Sequence, residues 1–563
     1  MRALYPPAAT ARIAAQLALA PGTGRVRAAV GDAAIPDQEM IEAVLDGASA
    51  FAQNTLAPLN QLMDAQGCGL VDGRVVTASG HRNAWNDYVA AGWPTIEASP
   101  DVGGQGLPLA LTFAAQAVFD RACPAFGMLP VPQRSAAKLI AAFGDEVTQA
   151  EWLPGLAAGT HGATICVSEV EAGSDLRRIR THAQRDADGL WTVSGEKCWI
   201  SFGDHDLTDL IGHCVLARAP MLDGRNGLSL FLVPSCKADG TRNAVDVLRI
   251  EHKLGLHGSP TCTLAFNGSE AKLLGQPGRG LAQMFVMISN MRLAVGAMGL
   301  GIADGCTDLA RQYAADRKQG GSPDPVPIHD HADVQRQLLD MAAETEALRG
   351  LLFAAANAAE LSTRAASAQE RQEAQALAQW LLPIVKTVGG EIAFRTASNA
   401  IQVLGGAGYT TEWPAEQALR DARVLTVFEG TTGMQALDLA HRRLLGQGEI
   451  GCATFMARAR RDAGDQPALA GVLDELEQAA DWLRENESAI GAAAVPFLEV
   501  AGRAALAWNA ARIAAAPGDG PDAAYLRAAG AHYLAAFASG DPGAKLRLAP
   551  VTLAARFAAI RTG

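Results

Sequence analysis

The sequence predicts an α+β multidomain protein: an N-terminal helical domain, a central β-rich domain, a helical bundle and a further C-terminal helical domain. Three observations carry this. Apolar residues recur at three and four positions before about residue 160 and again after 280. Between them lie short β-rich runs separated by turn residues. A chain of 563 residues is also too long for one core and suggests three to four packed units.

Residues 1–35 read as an N-terminal arm. Arg2 and the apolar run 13–20 resemble an export signal ending in an Ala-x-Ala-like site. That run is short, contains Gln16, and follows Pro6, Pro7 and Arg12, so a helix or arm is the better reading. Over 36–160 the pattern is helical. Ile41, Val44 and Leu45 share a face, stretches 109–122 and 136–143 are Ala-rich, and Gly and Pro cluster at 92–94 and 100–108.

The texture changes over 161–279. Trp191, Thr192, Val193 and Ser194 lead through Gly195 to Cys198, Trp199 and Ile200, after a hairpin-turn signal at Asp186, Ala187, Asp188 and Gly189. Runs at 215–217, 228–233 and 262–266 continue the series, and a small antiparallel barrel or sandwich is their natural packing. Helices return over 280–445, with Ala-rich stretches at 340–360 and 366–382 that suit a bundle. Gly299, Gly301 and Gly305 have the look of a dinucleotide loop, but they follow a helical pattern and not a strand, which predicts close helix packing. In the block 446–563, Leu469, Val472, Leu473, Leu476, Ala480 and Leu483 line one helical face. There is no internal repeat.

Bulk properties exclude several functions. The net charge is −12 and the pI about 5.5, so nothing draws the whole chain to phosphate backbones or anionic lipid. The C-terminal block holds 11 Lys and Arg against 13 Asp and Glu, a net −2, whereas a DNA-binding tail would be basic. No run of about 18 apolar residues is evident, so no membrane span is expected. Nine scattered cysteines without a Cys-x-x-Cys pair suit reduced thiols in a cytoplasmic protein. His205, Asp206 and His213, or His329 and His331, complete no ligand set, and no metal is expected.

Glu429 is the leading catalytic candidate. It follows Val424, Leu425, Thr426, Val427 and Phe428 and precedes Gly430 and Thr431. Apolar neighbours would raise its pKa toward working pH, as a base requires; a solvated cap is the plain alternative for such a residue taken alone.

Two more segments, Cys166 to Leu176 and Gln402 to Tyr409, join Phe428, Glu429, Gly430 and Thr431. In this order and spacing they resemble the acyl-CoA dehydrogenase family of flavoenzymes. Gly203 to Thr208, Gly92 and Trp93 with Gly103 to Pro108, and Leu56 to Asn60 are similar to its 3-methylthiopropionyl-CoA dehydrogenase-like subgroup, whose members carry an extra C-terminal region. The resemblance is strong over about 36–445 and loose at both ends.

The resemblance implies a helical domain, a β-barrel and a four-helix bundle, with FAD held noncovalently across the subunit interface of a homodimer or homotetramer. It implies that Glu429 takes the α-proton of an acyl-CoA while the β-hydride goes to the flavin, and that an electron-transfer flavoprotein is the acceptor. Val167, Ser168, Gly173, Ser174, Trp199 and Ser201 match residues around the isoalloxazine. Arg317, Gln319, Gln402, Gly405, Gly406 and Thr431 match positions that reach FAD. Ser174, Arg292 and Gly430 would meet substrate. Arg420 and Arg423 read as structural ion pairs. Val170 and Phe428 stand where the family usually has Pro and Tyr. The subgroup points to 3-methylthiopropionyl-CoA or another acyl-CoA of short to medium length. An oxidase on the same scaffold, or a DNA-associated flavoprotein of the same fold, are the alternatives, and the acidic tail argues against the second.

Overall fold

The computed structural model describes residues 4–30, 36–100, 103–221, 226–446, 450–541 and 550–562. Arg2 and the boundary expected at 35 lie outside them. The chain divides into two compact units, one of 1–53, 107–122 and 292–563, the other of 54–106 and 123–291. The segments expected as arm, bundle and further helical domain therefore share a unit.

The second unit is built on seven strands: β1 His161–Cys166, β2 His182–Arg185, β3 Trp191–Ser201, β4 Leu210–Pro220, β5 Asn226–Pro234, β6 Val245–Ile250 and β7 Thr261–Leu274. The ladders β4–β2–β3–β7–β5–β4 close on themselves, which makes a barrel and not a sandwich. Two ladders depart from the antiparallel expectation. β1 runs parallel to β4 from His161 opposite Leu210 to Cys166 opposite Val215, and β2 meets β4 in parallel at His182 and Arg218. Long connections separate the partners in both, as parallel pairing requires. The predicted hairpin joins β2 to β3: Gly189 has φ of 90°, and Asp186 Oδ1 accepts from the Leu190 N–H at 2.8 Å. Val193, Ile200, Val215, Phe231, Val233, Leu264 and Phe266 fill the barrel interior.

In the first unit the main helices are α1 Thr10–Leu19, α2 Leu109–Ala122, α3 Gly280–Asp316 (from Arg292 on), α4 Ala332–Arg364 and α5 Ala368–Leu404. Ser367 caps α5 by accepting from the Glu370 N–H at 3.1 Å, and only three residues separate it from α4, so the two run antiparallel. The glycines of α3 act as sequence reasoning expected. A Cβ at Gly299 would collide with the Gly389 carbonyl oxygen of α5, and one at Gly301 with the Ala117 carbonyl oxygen of α2. Bare backbone lets these helices cross at close range.

The C-terminal helices of this unit are α6 Ile450–Ala463, α7 Pro467–Glu485, α8 Ile490–Ala514, α9 Pro521–Ala536 and α10 Pro550–Thr562. They pack on the bundle: α8, α9 and α10 lie against α4, and α6 against α5. All six residues predicted for one face of α7 are buried. The segment weighed as an export signal is α1, packed on α4 and α9. Its Arg12 is buried, 3.1 Å from the Glu346 carboxylate and 4.0 Å over the Tyr525 ring. Arg349 and Arg121 both pair with Asp304 beside it.

The expectation that no segment could span a membrane needs correction. Gly280–Asp316 and Glu487–Ala514 are long and apolar enough by length and composition, because a few polar residues do not lower the average of a long helix below a span's. Their apolar windows are 72% and 50% buried within the protein, as core helices are.

Candidate active site

Two groups of residues, one in each unit, carry the predicted site. The first is the turn around Glu429. The chain leaves a 3₁₀ turn at Arg423–Thr426, and Glu429 and Gly430 take φ of 56° and 92° before the short helix Thr432–Leu437 begins. Two successive left-handed residues, one of them not glycine, persist only where the surroundings hold them. Both carbonyls are held. Gln435 Nε2 donates to the Glu429 oxygen at 2.8 Å, and Lys386 Nζ of α5 donates to the Gly430 oxygen at 2.7 Å. A side chain at Gly430 would meet Gln435 Nε2 at 2.7 Å and Arg292 Nη2 at 3.8 Å.

Glu429 is only partly covered in surface terms, yet the protein around it is dense enough that burial raises its carboxyl above the ordinary value, with Arg292 and Lys386 partly offsetting this. Arg292, on α3, donates to Asp438 at 3.1 Å; Arg443 lies 3.6 Å from the same carboxylate oxygen and donates to Gln379 at 2.9 Å. Asp438 opens a π-helical turn, Asp438–Leu445, a distortion frequent at functional sites. Arg292 thus sits at the Glu429 turn, engaged by a carboxylate. Sequence reasoning missed Lys386 and Gln435. Lys386 had a readable signal: a single charge in the apolar helical run from Trp380 to Gly390.

Also in this unit are the exposed residues expected to reach a cofactor. Arg317 and Gln319 follow the end of α3. The Gln402 carbonyl accepts the Gly405 N–H that ends α5, and Gly405 has φ of 61°. Tyr313 meets Trp413 edge-on at 5.1 Å, which holds the end of α3 to the segment after α5. Thr431 is exposed and its hydroxyl makes no capping hydrogen bond. Arg420 pairs with Glu416 at 2.9 Å as expected. Among the described residues Arg423 forms no ion pair; it donates to the Thr426 hydroxyl and lies 5.7 Å over the Phe394 ring, because the 3₁₀ turn puts that hydroxyl within its reach.

The second group lies in the barrel unit. The Cys198 N–H donates to the Ser168 carbonyl at 3.0 Å, and buried Lys197 donates to the Val167 carbonyl at 3.0 Å and to Glu169 at 2.8 Å. Burial opposes the Glu169 charge, but hydrogen bonds from Lys197, Thr181 and the Arg180 N–H outweigh it and hold the carboxyl below its usual range. Two backbone hydrogen bonds between Glu169 and Ala172 close the turn that carries Val170. Gly173 and Ser174 are exposed beyond it, and Ser201 ends β3. A register shift in β3 between Lys197 and Ile200 puts Trp199 at φ of 62° and turns its indole outward, 60% exposed.

These residues suit a flavin. A large indole held out of the barrel in an unfavourable backbone conformation is a flat apolar wall with no core function. Added Cβ atoms at Gly173, Gly405 and Gly406 would meet nothing within 4 Å, so their backbones stand open to a ligand.

His205 and His213 are buried, and burial pushes both down to about 4, so both are neutral near pH 7; His213 Nδ1 is 2.9 Å from the Thr164 hydroxyl. Asp204 and Asp206 clamp a short hairpin, Asp204 accepting from Arg74 at 2.8 Å and Asp206 from the Thr77 hydroxyl at 2.7 Å. Among the described residues no three His, Cys, Asp or Glu side chains are placed to hold a metal.

Models of the acyl-CoA dehydrogenase N-terminal, middle and C-terminal domains match residues 38–160, 164–269 and 278–444. The chain belongs to the acyl-CoA dehydrogenase family. Its members are FAD-dependent oxidoreductases that act on acyl-CoA. The 3-methylmercaptopropionyl-CoA dehydrogenase of Ruegeria pomeroyi is 36% identical over 496 residues, 83% of this chain and 84% of that one. The acyl-CoA dehydrogenase of Bacillus anthracis complexed with FAD has the same fold, with a TM-score of 0.74 and 20% identity over 93% of this chain and 91% of its own. A structure described as the electron transferring flavoprotein of Acidaminococcus fermentans has a TM-score of 0.60 at 27% identity, over 72% of this chain and 97% of that one.

Proposed function

We propose that this dehydrogenase removes hydrogen from the α and β carbons of an acyl-CoA thioester to give the 2-enoyl-CoA, with Glu429 as the base. The observation that carries the reading is the Glu429 turn: a carboxylate fixed in left-handed backbone, raised by burial and flanked by two cations. Bound FAD would supply the hydride acceptor, which no protein side chain can be.

The chain's own residues do the rest. Val167, Ser168, Gly173, Ser174, Trp199 and Ser201 would hold the ring system, with the indole as its wall. Arg317, Gln319, Gln402, Gly405, Gly406 and Thr431 would hold the remainder of the cofactor; the Arg317 fork suits pyrophosphate oxygens. Their exposure in a single chain supports a homodimer or homotetramer in which they reach a neighbour's FAD. Ser174, Arg292 and Gly430 would orient the thioester, and the Glu429 carboxylate would take the α-proton. Likeness to the Ruegeria enzyme supports 3-methylthiopropionyl-CoA or a similar short to medium acyl-CoA, and likeness to the Acidaminococcus structure supports an electron-transferring flavoprotein as acceptor. Nine scattered cysteines without a Cys-x-x-Cys pair support a reducing, cytoplasmic setting.

Anaerobic titration of the FAD-loaded protein with acyl-CoAs from propionyl to palmitoyl, including 3-methylthiopropionyl-CoA, tests the reading. Flavin bleaching by a subset is the expected result. An oxidised flavin with every thioester would overturn it.

A further inference from the structure

Lys386 makes a costly arrangement out of a small task. It is fully buried on α5, and its ammonium donates to a neutral acceptor, the Gly430 carbonyl, at 2.7 Å. Among the described residues it forms no ion pair. Leaving a buried ammonium without a carboxylate at contact is destabilising, and a neutral donor would hold a carbonyl without that cost. The charge itself must therefore matter.

Two cations face Glu429, Arg292 from α3 and Lys386 from α5. Arg292 is already engaged by Asp438, with Arg443 beyond it. Lys386 in turn faces Glu429, Arg292 and Glu391 of its own helix. Among the described residues, its charge is the one near Glu429 with no carboxylate at contact. We propose that Lys386 is a positioning residue for the Glu429 base: it fixes the Gly430 carbonyl that shapes the left-handed turn, and its unbalanced charge keeps the Glu429 carboxylate ionised. This rests on the dehydrogenase reading for its functional meaning.

A limit on the working pH follows. Burial pulls Lys386 down to about 8; Glu429 and Glu391 oppose that and Arg292 adds to it. The ammonium is present at neutral pH and lost as pH rises through that value, so the support it gives Glu429 fades on the alkaline side.

FAD-loaded Lys386→Met and Lys386→Gln test this. Met removes both donor and charge, while Gln retains a donor for Gly430 and removes only the charge, which keeps the test open should Met fail to fold. Carbodiimide labels protonated carboxyl groups, so labelling of Glu429 against pH, read by peptide mass spectrometry, gives its protonation midpoint without substrate. The expected result is a midpoint raised by about one pH unit in both variants. Met should also lower kcat for flavin reduction by about tenfold, with KM changed less than about twofold, as loss of orientation at the reacting group predicts. Folded, FAD-loaded variants with the wild-type midpoint would overturn the proposal. A shifted midpoint in a protein that no acyl-CoA bleaches would uphold the coupling and sink the dehydrogenase reading instead.

Discussion

Glu429 must be ionised to take a proton, yet its burial favours the neutral form. A raised carboxyl gives the rate of flavin bleaching a definite pH dependence: it climbs as pH rises through an inflection above the ordinary carboxylate range, because only the deprotonated form is a base. Rapid-mixing rates across pH check this, and an inflection at or below that of a free carboxylate would contradict it. Legibility at single positions was uneven. Glu429 stood out because its neighbours form a motif. Trp199 was placed on its strand, but its outward turn depends on a bulge that periodicity does not announce. Lys386 showed as a lone charge in an apolar helical run, but its partner and that of Gln435 are backbone carbonyls 44 and 6 residues away, and contacts of that kind leave no pattern in composition.

Helices and strands were more legible than single contacts, since burial of one face imposes a period on the sequence. Every predicted residue of α7 is buried, and the glycines of α3 were correctly given to helix packing. What the pattern did not show was direction: alternation looks the same in parallel and antiparallel strands, so the parallel β1–β4 ladder could not be foreseen. The α3–α5 crossing gives a sharp test. Gly299→Val would drive a side chain into the Gly389 carbonyl, where backbone and not a pliant side chain must yield. Thermal or urea unfolding should show a loss of about 1–3 kcal/mol, as for an overpacked core. Gly471→Ala, at an exposed position of α7 where a Cβ meets nothing and the backbone is helical, has no collision to relieve and serves as the contrast.

The extra C-terminal helices are structural partners of the bundle. Trp380 of α5 packs 6.4 Å from Phe455 and 6.2 Å from Phe497, and Phe455 lies 5.6 Å from Trp508. Asp340 of α4 meets the buried His532 of α9 at 2.8 Å. A chain ended after residue 445 would bare this aromatic cluster and the α4 surface, so size-exclusion chromatography should find it aggregated and calorimetry should find no cooperative transition. A soluble, FAD-loaded truncation would show that the block is dispensable. The Glu429 turn itself belongs to this helical unit, with α3 and α5 supplying its two cations. Whether that turn does base chemistry is settled most directly by single-turnover flavin reduction, comparing protiated with α-deuterated acyl-CoA in the wild type and in Glu429→Gln. The expected result is slower bleaching with the deuterated substrate in the wild type. In the FAD-loaded variant, bleaching should slow by about a hundredfold or more, the usual contribution of a positioned base. Bleaching by Glu429→Gln at the wild-type rate would contradict the assignment.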